Sequence, residues 1–187
     1  MRAASSNSGK VLFDLYESTS EARAHWQAWW ALANLAKPRF VERMERFPDF
    51  FLIAERAHFN SIFINLAHAF DKRKDVASID RYLRIAKAKY SSVEISAVRK
   101  RLAPHAPARD GVLEIRNNVI AHKTLGLTEK EVFASARITP RHIGALVEEV
   151  AGVVNSFAER EGWVQRVFTS DRVSSATLGV LEAMEKA

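Results

Sequence analysis

The sequence predicts an all-α fold, an antiparallel helical bundle of about seven to eight helices. Four observations carry that expectation. Apolar residues recur at helical spacing, as in Phe59, Phe63, Leu66 and Phe70, and again in Ile143, Val147, Val150, Val154 and Phe157. Strand-type alternation hardly occurs. Gly 7 and Pro 5 in 187 residues are low for a sandwich or barrel, which needs many tight turns. Connections between the helical stretches are short, which favours antiparallel neighbours.

The elements follow in order. Ser18 and Glu21 have capping-box spacing ahead of His25, Trp26, Trp29, Trp30 and Ala33. Pro38 is expected to end that helix and allow another to about Phe47. Pro48 breaks the chain again, and Asp49 can cap a long helix to about Phe70. A charged loop follows from Asp71 to Asp75. Ser78 can cap a helix over Ile79–Lys89, and Ser91 with Glu94 makes a second capping box. Leu102–Asp110, with two prolines, reads as a loop, after which Asp110 caps a helix from about Gly111 to Lys123. Gly126 suits a helix stop. Thr128 and Glu131 form a third capping box, and Thr139-Pro140 an N-cap and first-turn pair. Beyond Gly162 the pattern weakens, to a short extended piece over Val164–Thr169 and a last helix over Ser174–Lys186.

This divides the chain into a disordered N-terminus (1–9), a helical domain (10–160) and a C-terminal extension (161–187). A hydrophobic fraction of 48% with 27% charged residues is a globular balance, and the length suits one domain with a real core. The first residues lack the apolar region of a secretory signal, and no apolar run approaches the roughly 20 residues of a membrane span. A cytoplasmic protein without membrane contact is expected. Cys 0 excludes disulfides, thiolate metal sites and a cysteine nucleophile.

Net charge is +6, and its distribution is uneven. Residues 71–109 hold eleven Lys/Arg and four acids, so this stretch alone is +7 and the remainder sums to −1. Lys72, Arg73, Lys74, Arg99, Lys100 and Arg101 lie in it. Such a segment is the electrostatic footprint of a polyanion binder, or else a solvated basic surface.

Most enzyme signatures are missing. There is no phosphate loop, dinucleotide turn, zinc helix, EF-hand or serine-hydrolase elbow. Glu55 and His58 form one Glu-x-x-His, but a di-iron bundle needs two with further carboxylates, so no metal or other cofactor is expected. His25, His58, His68, His105 and His142 show no repeating arrangement and read as packing or surface residues.

The stretch from Ile115 to His122 differs. On an α-helix each residue turns about 100°, and with Val112 at zero, Ile115, Val119, Leu113 and Ile120 fall near about 300°, 340°, 100° and 80°. Arg116 falls near about 40°, inside that apolar arc, and His122 near about 280°, at its border. A guanidinium so placed is costly unless it is paired or lines a wet cleft or interface. Two readings stand on geometry alone. Arg116 bridges to an acid such as Glu55, with His122 a helix-end residue favoured by the dipole, or both residues line a site.

Arg116-Asn-Asn-Val-Ile-Ala-His122 resembles the Arg-x(4–6)-His signature of the HEPN superfamily, including the polar residue that commonly follows the Arg. The wider context resembles its AbiU-type branch, named for abortive-infection proteins. The matching stretches are His58–Ser78, continued by Ile79-Asp80, and Arg116–Lys123, within a resemblance over roughly residues 10–157. The resemblance implies a helical bundle, usually dimeric, with paired motifs lining a cleft at the dimer interface. Many members are metal-independent ribonucleases of toxin–antitoxin or abortive-infection systems; others have lost catalysis and serve as RNA-binding or interaction modules. Toxin members modified by a partner nucleotidyltransferase carry Tyr two residues after the motif His; here that position is Thr124, a departure from that pattern of control.

The resemblance and the residue chemistry together nominate Arg116, Asn117 and His122 as catalytic and Asn118 as supporting. Histidine titrates near neutrality and can move the protons of 2′-hydroxyl attack. Arginine presents a permanently charged fork to phosphate. α-Helical spacing favours Asn118 as the partner of His122, whereas the family pattern favours Asn117. Lys72, Arg73, Lys74, Arg99, Lys100, Arg101 and Lys123 are the candidate RNA contacts. The expected partners are RNA, a second copy of the chain, and an antitoxin or other partner protein. The leading function is a HEPN-type endoribonuclease. The alternatives are an inactive HEPN module that binds RNA or a protein, and a structural helical protein whose motif is chance.

Overall fold

The computed structural model describes residues 7–121, 128–164 and 166–184. Nine α-helices account for most of them: α1 (Asn7–Trp30), α2 (Lys37–Met44), α3 (Pro48–His68), α4 (Ile79–Ile85), α5 (Ser92–Leu102), α6 (Ala106–Ile115), α7 (Glu129–Ala136), α8 (Pro140–Arg160) and α9 (Arg172–Ala183). No strand occurs among the described residues, and none of their helices is long and apolar enough to cross a membrane.

α1, α3 and α8 form the centre. His25 meets His58 and Lys37 meets Glu55, so the rod of α1 and α2 runs antiparallel to α3. Tyr16 packs on Trp163 and Arg23 on Glu148, so α8 also runs antiparallel to α1. The main core joins Leu12 and Leu15 of α1, Phe63 and Leu66 of α3, Tyr82 of α4, Val112 and Ile115 of α6, and Val147, Val154 and Phe157 of α8. A second, smaller core holds Leu32, Phe40, Met44 and Phe51 against Leu181 of α9.

Several starts fall where local chemistry puts them. Ser78 accepts the Arg81 N–H at the head of α4. Ser91 with Glu94, and Thr128 with Glu131, close reciprocal capping boxes. Thr139 caps α8, whose first turn carries Pro140.

Other starts and stops differ from expectation. Ser18 is no cap: α1 already runs from Asn7, and the buried Ser18 hydroxyl donates to the Leu15 carbonyl at 3.1 Å. Asn7, Ser8 and Gly9, assigned by sequence to the disordered terminus, are helical. Pro38 does not end the helix. A π-helical turn over Ala31–Ala36 precedes it and leads directly into α2. A proline lacks its N–H and crowds the carbonyl four residues back, and the wider turn absorbs that conflict. Asp49 lies inside the first turn of α3, whose N-cap is Phe47. Leu102–Asp110 is a 3₁₀ turn (Ala103–His105) followed by the start of α6, with Pro107 in its first turn. Asp110 therefore caps nothing; it pairs with Arg109 at 2.8 Å. Val164 and residues 166–169 are in no strand, and the last helix begins at Arg172 rather than Ser174. Gly126 lies outside the described residues.

The three tryptophans of α1 are an internal stack. Trp26 lies over Trp30 at 5.4 Å, Trp29 tilts against Phe59, and Trp26 covers Gly144 of α8. A Cβ at Gly144 would stand 2.6 Å from Trp26 Cζ2. Gly144→Val is expected to cost about 1–3 kcal/mol through overpacking. Gly179→Ala, in open space on α9, is expected to be neutral or to stabilise by about 0.4–1 kcal/mol. Denaturant unfolding of the two variants checks the contrast; equal effects would contradict this packing.

Candidate active site

The Arg116 turn lies beside the end of α3. His68 is the last residue of α3, Asp71 and Arg73 follow in the loop, and the segment after α6 packs alongside. That segment, Arg116–Ala121, is a π-helical turn rather than more α-helix. Its composition gives a reason. Asn117 and Asn118 compete with the backbone for hydrogen bonds, and the β-branched pair Val119-Ile120 loses rotamer freedom in an α-helix. The i→i+5 register of a π-turn breaks the 100° spacing assumed from sequence, so the preference for Asn118 over Asn117 on α-helical geometry lapses. Such turns recur at functional sites.

Arg116 is half-buried and Asn117 exposed. Arg116 Nη1 donates to Asn117 Oδ1 at 2.7 Å, although α-helical geometry put Asn117 on the opposite face. The bridge to Glu55 considered from sequence is not formed: Glu55 accepts from Lys37 at 3.2 Å. Asn118 is half-buried in the same turn. His122 and Lys123 lie outside the described residues, as does Thr124.

The charge of Arg116 reaches both His68 and Asp71. His68 is held below the ordinary histidine range by burial first, then by Arg116 and Arg73, with Asp71 opposing. Asp71 is held below the usual carboxylate range, chiefly by the Arg73 side chain. Arg73 grips it through Nη2 at 2.9 Å and its backbone N–H at 2.9 Å, and the Asp71 side chain is only 13% exposed. Sequence reading passed over His68. The signal was its position at the end of the long helix just before the charged loop, but nothing in the sequence paired it with Arg116.

The basic segment divides among surfaces. Lys72, Arg73 and Arg99 line one cleft between the 71–78 loop, α4 and α5. Lys74 and Lys100 are exposed outside it. Arg101 turns to α8, where its Nε donates to Glu149 Oε1 at 2.7 Å, so its charge is already partnered.

These observations meet a family comparison. The AbiU2 model of the HEPN superfamily matches residues 10–159. The chain belongs to the AbiU2 family of HEPN domains. No curated protein and no solved structure matches it. The match spans α1 to α8, so the AbiU2 domain includes both the end of α3 and the Arg116 turn.

A histidine pair lies away from the Arg116 turn of this AbiU2 domain. His25 Nδ1 and His58 Nδ1 are 2.7 Å apart, so one ring donates and the other must be a neutral acceptor. His58 is held below the ordinary range by burial, then by His25. The unfolded chain therefore protonates His58 and His68 at a higher pH than the folded chain does. Their contribution to stability is complete above about pH 6.5 and is lost as pH falls from there toward the lowered folded values. Tm is expected to drop between about pH 7.5 and about pH 5.5, and to drop less in His58→Asn/His68→Asn. An equal drop in both proteins would contradict this assignment.

Proposed function

We propose that this chain is a metal-independent HEPN-type endoribonuclease of a toxin or abortive-infection system, acting on RNA in the cytoplasm. The observation that carries the reading is Arg116, joined to Asn117 in a π-turn beside the end of α3, at the head of the family's Arg-Asn-x(4)-His motif. RNA supplies its own nucleophile. One histidine removes the 2′-hydroxyl proton, and the oxygen attacks the adjacent phosphorus. Arg116 balances charge on the phosphorane, with its fork oriented by Asn117. The 5′-oxygen leaves with a proton from a second histidine. The products are a 2′,3′-cyclic phosphate and a 5′-hydroxyl.

A homodimer supplies two Arg116/His122 sets, so that one His122 serves as base and the other as acid. The exposed apolar residues Ile53 and Ile64, which share one side of α3, the helix that ends in His68, give this second copy a face to cover. Light scattering at micromolar concentration is expected to give twice the monomer mass; a monomer would count against the paired site.

The deciding experiment incubates purified protein with varied RNAs, with and without EDTA. Cleavage that persists in EDTA and leaves 2′,3′-cyclic phosphate ends is expected. Cleavage abolished by EDTA would overturn the mechanism. RNA binding without any cleavage would make the chain an inactive HEPN module.

A further inference from the structure

The cleft between the 71–78 loop, α4 and α5 is lined by six cationic side chains: Lys72, Arg73, Arg81, Arg84, Lys87 and Arg99. Its acids are Asp71, which Arg73 holds, and Asp80, which stands 3.9 Å from Arg99. Its volume of about 630 Å³ lies within the range of small-ligand clefts, roughly 300–1,000 Å³. Arg81, Arg84 and Lys87 follow at three-residue steps and so share one side of α4 and the 3₁₀ turn after it.

Arg81 is the unusual member. Its Nε and Nη1 are shielded from solvent and hydrogen-bond to nothing among the described residues. A guanidinium in that state is costly, and two oxygens of a tetrahedral phosphate satisfy it once the side chain turns into the cleft. The cleft also adjoins the candidate active site. Asp71 lies on its wall and feels the charge of Arg116.

We infer that this cleft is a phosphate subsite for single-stranded RNA, in which Arg81, Arg84, Lys87 and Arg99 hold the backbone of nucleotides flanking the bond presented to Arg116. The inference rests on the ribonuclease reading for its ligand and adds residues that the motif does not include. The cations supply affinity without base preference, since phosphate contacts position a nucleic acid and carry no sequence information.

The test uses the full chain carrying His122→Ala and a short 5′-fluorescein-labelled oligouridylate followed by anisotropy. Arg84→Gln/Lys87→Gln/Arg99→Gln changes three exposed side chains of the cleft. Arg46→Gln/Lys130→Gln/Arg141→Gln removes the same charge elsewhere on the surface. The cleft variant is expected to bind at least about tenfold more weakly at 0.1 M salt, and its salt slope to flatten by about 2, at about 0.7 per lost contact. The control variant should show little of either change. Arg81→Lys should weaken binding as well, because a point charge cannot replace the fork. Equal losses in the cleft and control variants would overturn the inference. ATP binding to the cleft while oligouridylate affinity stays unchanged in the cleft variant would overturn it in favour of a free nucleotide. The ribonuclease reading fails separately. If the chain with His122 intact cleaves RNA and the cleft variant keeps its KM, only the subsite falls. If oligouridylate binds through the cleft but no RNA is cut, only the ribonuclease falls.

Discussion

Purified His122→Ala is expected to cleave RNA about 10²–10⁴-fold more slowly than the unsubstituted chain, the usual loss for a positioned general acid or base. Its affinity for RNA should stay nearly the same, because the imidazole matters chiefly when protons move. Arg116→Ala should lose both cleavage and affinity, since a guanidinium touches phosphate before and during the reaction. Its half-buried position makes some loss of stability part of the expectation. Arg116→Lys separates the two effects: it keeps the charge and loses the fork aimed at Asn117 Oδ1. Product release from labelled RNA under single-turnover conditions, with anisotropy for binding, measures both quantities. Cleavage by His122→Ala at the unsubstituted rate would sink the mechanism.

Arg23→Met is expected to destabilise the fold by about 2–4 kcal/mol, or roughly 4–16 °C in Tm. Arg23 is 2% exposed in the middle of α1. Its Nε donates to Glu148 Oε2 at 3.1 Å, Nη1 to the Ser170 carbonyl at 3.0 Å and Nη2 to the Thr169 carbonyl at 2.9 Å. The Phe168 ring lies 5.0 Å from the guanidinium. Met fills most of the volume but strands two carbonyls. Glu148, half in solvent, rehydrates and limits the loss. The same latch continues at Gln27, which donates to Ser170 O and accepts from the Val173 N–H. Asn155 exchanges both hydrogen bonds with the Val167 backbone. Thermal unfolding followed by circular dichroism checks this, and a loss below about 1 kcal/mol would show that the latch contributes little.

The buried Arg23 also marks where sequence reading ran out. Its charge sits among Trp26, Gln27 and other residues of a helix with no strong apolar stripe, and its partners lie some 125 to 147 residues away. No local pattern announces such a pairing. The 161–187 stretch reads as an extension for the same reason: Val167 belongs to the main core and Leu181 to the second one, but each is a single residue in a polar context. The false capping box at Ser18 is the converse error. A serine followed by glutamate three residues on suits a helix start, yet a helix already formed upstream lets the hydroxyl bond back to Leu15 instead.

Features that depend on neighbours a few residues apart were legible before any fold was known. The all-α class, the caps at Ser78, Ser91, Thr128 and Thr139, and the apolar stripe of α8 all follow from 3.6-residue periodicity and from side chains that reach their own backbone. The Arg116 motif was legible as well, because its residues are adjacent in the chain. Which groups lie near one another was set by the packing of the helices. It brought His68 and Asp71 under the charge of Arg116, sent Arg101 away to Glu149, and gathered Arg81, Arg84 and Lys87 with Arg99 across two helices. It also placed Arg116–Ala121, a π-turn whose composition disfavours the α-helix, against α3 and α7. Burial and long-range Coulomb interaction depend on distance in space, and distance in space is set by how the helices pack.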